Sequence, residues 1–349
     1  MTTETEPTAT PAVTTTTAGI STLASALGII GRGPGRSRPL TRGEACGAFS
    51  ALLTGQALDV QAGAFLLLMR YRGETAEELA GLVDAARAHI GPPPADAPVP
   101  ALDWPSYAAG RTRGLPWYLL AARLIGAAGV PVLMHGDNDL QTGGTGAMQG
   151  LAALGLAPAR DLDDAAGQLA ATGFAYLPLA RLCPALKTLL DLRAVLGLRS
   201  PVNTLVRHLN PLNAPATLIG VFHPGYLDSH TAAALLLDAG RRLGVVKGAG
   251  GEGERRPFKP VDLRLVDAGA TGVEHWPALI DATTQAHDTE RDDPAHLAAV
   301  WRGEARDDAG EATVIGTAAV ALRIAGRAAS PTKAEAQARA LWAARGHHP

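Results

Sequence analysis

The sequence predicts an α/β protein: a small N-terminal all-α domain followed by a larger α/β domain on a mainly parallel central sheet. Three observations predict it. Residues 19–92 carry helix start and stop signals at short intervals. A Pro-rich run, GPPPADAPVP at 91–100, then interrupts the pattern. Beyond it, short apolar runs alternate with helical segments, as βαβ units require.

The Thr/Pro-rich start, residues 1–18, has neither a basic stretch nor an apolar one, so it is read as a disordered tail and not as a secretion signal. In LTRGEACGAF, Thr41 is an N-cap with Glu44 three residues on, a capping box, and Gly55 is the stop. Asp59 is the expected cap of DVQAGAFLLLMRYR, which ends at Gly73. Thr75 and Glu78 form a second capping box ahead of AEELAGLVDAARAHI. These helices make the domain 19–92, and 91–100 is its linker to the α/β domain of 95–349. In that second domain GVPVLMHG (129–136), APATLIGVFHP and LGVVKGAGG read as strands, and WYLLAARLIGAAG as a helix between strands. CPALKTLLDLRAVLGLRSPVNTL (183–205) is helical again, and helices from about 178–206 are expected to pack on the first domain. Ligands of parallel sheets bind at the carboxyl ends of strands, which marks three loops: 103–114, 135–146 and 247–256.

Composition narrows the function. Of 349 residues 47% are hydrophobic, enough for a full core. Two distant cysteines, Cys46 and Cys183, argue for a reducing compartment, hence a cytoplasmic location. No apolar run reaches membrane-spanning length. No Cys/His spacing suggests zinc, and the Gly cluster at 142–146 lacks the Lys and Ser/Thr of a Walker loop. The net charge of −2 conceals an uneven distribution. Residues 103–123, 181–207 and 241–259 together hold 14 Lys or Arg against 4 acids, while 281–311 hold 9 acids against 3 bases. If the basic segments meet in space they form an anion-binding face.

The stretches LTRGEACGAFSALLTGQALDVQAGAFLLLMRYRGETAEELAGL, VPVLMHG, LRAVLGLRSPVNTL and GVVKGAGGEGE stand in the order seen in one superfamily. Over roughly residues 20–330 the chain resembles anthranilate phosphoribosyltransferases and pyrimidine nucleoside phosphorylases, glycosyltransferase family 3. The resemblance implies phosphoribosyl diphosphate bound between the domains and a homodimer formed through the helical domain. The pattern DWPSY…R…LPW with GGEGE is similar to a divergent YbiB-type branch, and that likeness implies nucleic-acid binding.

The departures bear on chemistry. Against the family's G-T-G-G-D phosphate loop this chain has Ser106, Tyr107, Ala108, Ala109 and Gly110, so two glycines that admit a pyrophosphate are alanines and the Asp is gone. Met134 replaces the Lys of K-H-G-N, and Asp137 its Asn. The family's Mg²⁺-holding D-E pair falls on Gly253 and Glu254, with Glu252 one position out of register as a substitute. Mg²⁺ takes carboxylates plus substrate phosphates, so anthranilate transfer is expected to be absent or very slow.

The candidate residues follow from these loops. Arg111 and Arg113 suit phosphate oxygens at a strand end, or are solvated. Thr142, Gly143, Gly144, Thr145 and Gly146 precede an apolar helix whose first N–H groups suit an anion. His135 and Gly136 lie in the second phosphate segment; a structural hydrogen bond is expected of His135 ahead of general-acid work. Lys187, Arg193, Arg199 and Arg207 lie in or just after a helical stretch, where the first three advance by six and so spiral; Arg193 stands at the Arg of the family's anthranilate pocket. Lys247, Arg255, Arg256 and Lys259 belong to a charged Gly-rich loop that either grips phosphates or is a flexible surface loop, the position after a strand favouring the first, with Glu252 and Glu254 as the metal candidates. Arg32, Arg36 and Arg38 read equally as backbone contacts or as a connector. Trp104, Tyr107, Trp117 and Tyr118 are weighed between base stacking and core, with core expected for at least two. Asp288, Asp292, Asp293, Asp307 and Asp308 are expected on a solvated face.

The leading expectation is a homodimeric transferase-fold protein that binds single-stranded DNA or RNA through backbone phosphates, with no cofactor required. The alternative is a pentosyltransferase using phosphoribosyl diphosphate and Mg²⁺ on an unidentified base.

Overall fold

In a computed structural model the chain is described over residues 17–33, 35–108, 114–137, 145–281 and 292–345. Four helices come first: α1 (Thr17–Ile30), α2 (Arg42–Leu53), α3 (Asp59–Arg72) and α4 (Ala76–Ile90). Both capping boxes form. Thr41 accepts from the Glu44 amide and Thr75 from the Glu78 amide. Glu78 also accepts the Leu40 amide at 2.8 Å, which ties α4 to the entry of α2. Asp59 is not the cap of α3; it is the first helical residue, and Gln61 takes the Leu58 amide instead.

The second region runs β1 (Leu102–Ser106), α5 (Trp117–Ala127), β2 (Val132–Gly136), α6 (Ala147–Ala153), α7 (Leu162–Thr172), β3 (Phe174–Pro178), α8 (Leu179–Leu182), α9 (Pro184–Leu196), α10 (Val202–Leu205), β4 (Ala216–Val221), α11 (Gly225–Leu237), β5 (Arg242–Lys247), β6 (Val261–Asp267), β7 (Ala270–Trp276), α12 (Pro294–Arg302), α13 (Asp308–Ile324) and α14 (Pro331–Ala344). The sheet has seven strands in the order β3-β2-β1-β4-β5-β6-β7. The first five are parallel, and β6 and β7 are antiparallel. This hairpin turns at Ala268 and Gly269, whose φ angles of 48° and 80° suit the twist of a two-residue turn.

Alternate strand residues face opposite ways. Trp104, Met134 and Tyr176 enter a core with α5, α13 and Trp342 of α14. Leu133, Ala175 and Leu177 enter a second core. That second core is continuous from Leu23, Phe49 and Phe65 of the helical domain to Leu186, Leu189 and Leu205 of α9 and α10. The helical domain is thereby locked to one face of the sheet. Arg87 of α4 adds an ion pair to Asp238 at 2.6 Å. No helix among the described residues is long and apolar enough to cross a membrane.

Candidate phosphate-binding site

From β1 the chain builds outward to β2 and β3 on one side, and from β4 to β5 on the other. Between β1 and β4 only Asp103 and Thr217 are paired. Beyond that pair the two carboxyl ends separate at the switch point where ligands of open α/β sheets bind. A cavity of 230 Å³ lies there. The sheet contributes Ala108, Val221 and Phe222, α11 contributes Tyr226 and His230, and the helical side contributes Arg70 of α3 and residues from Arg199 to Arg207.

Three guanidinium groups, Arg70, Arg199 and Arg207, line this cavity, and among the described residues no carboxylate does. Arg207 is fixed by three carbonyls. Its Nη2 donates to Tyr107 O at 2.8 Å, its Nε to Gly220 O at 3.2 Å, and its Nη1 to Asn203 O. Burial pushes this guanidinium down to about 10, against the pull of Glu252 nearby. Arg70 donates to the hydroxyl of Tyr226. Arg199 makes no hydrogen bond or ion pair among the described residues; burial, then the like charges of Arg193 and Arg70, hold it below the usual arginine range. An anion entering here relieves that repulsion.

Under the cavity wall His230 Nδ1 and His208 Nε2 are 2.7 Å apart. Both rings are buried, and burial holds both far below the usual histidine range, His208 at about 3. They are a neutral pair sharing one proton along their contact.

The loop after β5 closes the sheet end beside this cavity. Glu252 Oε1 accepts from Ser106 Oγ at 3.1 Å and from the Ala108 amide at 3.0 Å. Glu254 Oε2 accepts from the Tyr118 amide at 2.9 Å, in the first turn of α5. Gly220 of β4 allows the approach: a Cβ there would stand 2.0 Å from the Glu252 carbonyl carbon. The chain's own Glu252 thus takes a backbone donor just past β1, where a phosphate was expected, and Glu254 takes one at the start of α5.

The expected residues divide accordingly. Arg199 lines the cavity, and Arg193 lies close enough to repel it. Lys247 ends β5 exposed, opposite cavity-lining Val221, and Arg256 is exposed. Arg111, Arg113, Thr142, Gly143, Gly144 and Asp288 lie outside the described residues.

Other expectations are corrected. Arg255 does not reach a phosphate: its side chain is fully buried, paired with Glu335 at 2.7 Å and set over the Trp276 ring at 5.0 Å. Lys187 is met by Asp191 at 2.6 Å and Asp137 at 3.7 Å. The Gly146 amide is taken by Gln149, and Thr145 bonds the Asp292 carbonyl. His135 makes the structural hydrogen bond expected of it and does not line the cavity: it is fully buried, its Nδ1 2.8 Å from the Tyr107 hydroxyl and its Nε2 3.2 Å from Asp103 Oδ1 but out of line for a hydrogen bond there. Gly136 passes Ser106 too closely for any side chain. Glu252 and Glu254 are buried and do not line the cavity. Arg38 pairs with Glu44, whereas Arg32 and Arg36 are exposed. Core was expected for at least two of Trp104, Tyr107, Trp117 and Tyr118, and all four are core. Asp292, Asp293 and Asp307 are not idle surface charge: Asp292 accepts the Gly114 amide, and the other two cap α12 and α13.

Sequence reasoning missed Arg70, Phe222 and Tyr226. Arg70 and Tyr226 are 156 residues apart, and nothing local in the sequence joins them. For Phe222 a signal existed, since it directly follows an apolar strand run.

Comparison with known proteins bears on the whole chain. The glycosyl transferase family's helical bundle domain matches residues 25–90, and its a/b domain matches residues 118–344. The anthranilate phosphoribosyltransferase of Methylocella silvestris is 32% identical over 307 residues, 83% of each chain. That of Gluconobacter oxydans is 32% identical over 307 residues, 83% of this chain and 81% of its own. Among solved structures, anthranilate phosphoribosyltransferase from Thermus thermophilus superposes with a TM-score of 0.75 at 24% identity, over 94% of this chain and 95% of that one. The Saccharomyces cerevisiae enzyme in complex with PRPP and Mg gives 0.72 at 16% identity, over 93% and 94%.

Proposed function

This chain belongs to the glycosyl transferase family that joins a helical bundle domain to an a/b domain, and from that premise we propose that it holds a phosphorylated ligand at the β1–β4 switch point. The ligand is a single strand of DNA or RNA, gripped through phosphates with little base preference, and efficient anthranilate transfer is not its activity. One observation carries the reading: Arg70, Arg199 and Arg207 line one cavity that, among the described residues, no carboxylate lines. Guanidinium forks match phosphate oxygens, and exposed Arg193, which repels Arg199, and Lys247, opposite cavity-lining Val221, extend positive charge from the site.

The metal expected of a pyrophosphate-using relative does not fit these residues. Mg²⁺ keeps several waters and needs accessible carboxylate oxygens. Glu252 and Glu254 are at most 2% exposed and bond Ser106, Ala108 and Tyr118. The Ala108 amide is likewise engaged.

A second reading, a pentosyltransferase using phosphoribosyl diphosphate and Mg²⁺ on an unidentified base, is favoured by the relatives' activity. Two titrations separate the readings. Single-stranded DNA is expected to raise thermal stability and to bind with an affinity that falls steeply with salt, as counterion release requires. A flat salt response, or stabilisation by phosphoribosyl diphosphate with Mg²⁺ alone, ends the first reading.

The same proposal includes a homodimer through the helical domain. Val60, Leu67 and Tyr71 of α3 recur at helical spacing and are 74%, 44% and 89% exposed, an apolar stripe that a second copy would cover. The two free thiols suit work in the cytoplasm.

A further inference from the structure

A strand offers two kinds of phosphate. An internal diester carries one negative charge and two free oxygens. A terminal monoester carries about −1.5 to −2 and three strong acceptor oxygens.

The cavity matches the second kind on three counts. Its charge is high, because three guanidinium groups converge and Arg199 has no bonding partner among the described residues. Its lining is set in advance. Arg207 is held by the carbonyls of Tyr107, Gly220 and Asn203, so one guanidinium of the 230 Å³ space is fixed in place for a compact anion. It is also polar where a compact anion would sit. Asn203 Oδ1 accepts the Ser200 amide, which leaves the Asn203 side-chain amide as a donor. The first turn of α11, a helix of 13 residues, borders the same space and adds its positive end. Phe222 lines the cavity, is 44% exposed, and meets His223 edge-on at 4.8 Å, presenting a face for a terminal base.

We propose that this cavity recognises a phosphomonoester dianion, and that a strand is held by its phosphorylated end. The second clause rests on the nucleic-acid reading above; the first does not. Sugar phosphates share the chemistry, so the test includes one.

The experiment measures binding of the full chain to a short single strand phosphorylated at its 5′ or its 3′ end, to the same strand with hydroxyls at both ends, and to ribose 5-phosphate. One phosphorylated strand is expected to bind about tenfold tighter than the hydroxyl strand, or more, the gain of charge-assisted hydrogen bonds. That advantage should shrink as pH falls below about 6, where the monoester takes up a proton. Arg199→Gln should remove it while leaving the melting temperature in place, since Arg199 bonds nothing among the described residues. Equal affinity for all strands overturns the inference and leaves the wider nucleic-acid reading standing. Binding of ribose 5-phosphate that depends on Arg199, with no strand bound, supports the dianion site and overturns the strand as its occupant. Binding of none of them overturns both.

Discussion

Glu252 reaches from the loop after β5 to the end of β1 and takes the amide of Ala108 at 3.0 Å. The carboxylate is buried beside Arg207 and also accepts from Ser106. An internal anion therefore sits at the strand end, and the free positive charge lies one step outward, in the cavity.

Replacing that carboxylate tests its structural weight. Glu252→Ala takes from the buried Ala108 amide its acceptor, while the Ser106 hydroxyl keeps the Tyr118 hydroxyl at 3.4 Å, and should cost about 1–3 kcal/mol for the stranded amide. Glu252→Gln keeps an acceptor and should cost less. Denaturant unfolding of both variants measures the difference; equal losses would mean that the two hydrogen bonds are not what matters.

Arg255 should matter for stability and not for ligand. Its guanidinium pairs with Glu335 at 2.7 Å and lies against Trp276. Removing one member of a buried pair costs about 3–5 kcal/mol, and Arg255→Ala is expected in that range, toward its lower end because Glu335 is 19% exposed. Affinity for single-stranded DNA should be unchanged at temperatures where the variant is folded. A loss of affinity without a loss of stability would return Arg255 to the binding surface.

Acid should destabilise the fold in two windows. His208 and His230 are held neutral by burial, His208 at about 3 against an ordinary 6.5. As pH falls below 6.5 the unfolded chain takes up protons that the folded chain refuses, so stability falls with pH. Carboxylates act lower. Arg38 holds Glu44 at about 2 against an ordinary 4.5, and hydrogen bonding to Arg87 lowers Asp238 despite its burial, so their contributions are lost only below about pH 4.5. Unfolding midpoints between pH 7 and 5 should therefore drop through the histidines, and His208→Gln should flatten that slope. An unchanged slope would assign the loss to other groups.

The α3 stripe predicts association. Tyr71→Glu with Val60→Glu places charge on residues that are 89% and 74% exposed. Stability of the single chain should change by no more than about 0.5 kcal/mol. Light scattering should report a dimer for the parent chain and a monomer for the variant; a monomeric parent would remove the second copy from the proposal.

Much of the architecture was legible because it is written in local chemistry. Thr41 with Glu44 and Thr75 with Glu78 start their helices as capping boxes wherever they occur. The apolar runs at 132–136 and 216–221 are buried strands, and the Pro-rich run ends the helical domain. The first strand of the β6–β7 hairpin is also written locally, in the alternation of Val261–Asp267. The site was legible only by address, as the carboxyl ends of the strands. Which charges serve it was not, because charge in a sequence has no direction. Arg255 and Arg256 are neighbours; one is sealed under Glu335 and the other faces solvent. Arg70 meets Tyr226 only because the helical domain docks on the sheet through a shared core. Local propensity thus determined the elements and their order. The long-range burial that joins α3, α10 and α11 over one strand end decided where the uncompensated positive charge stands.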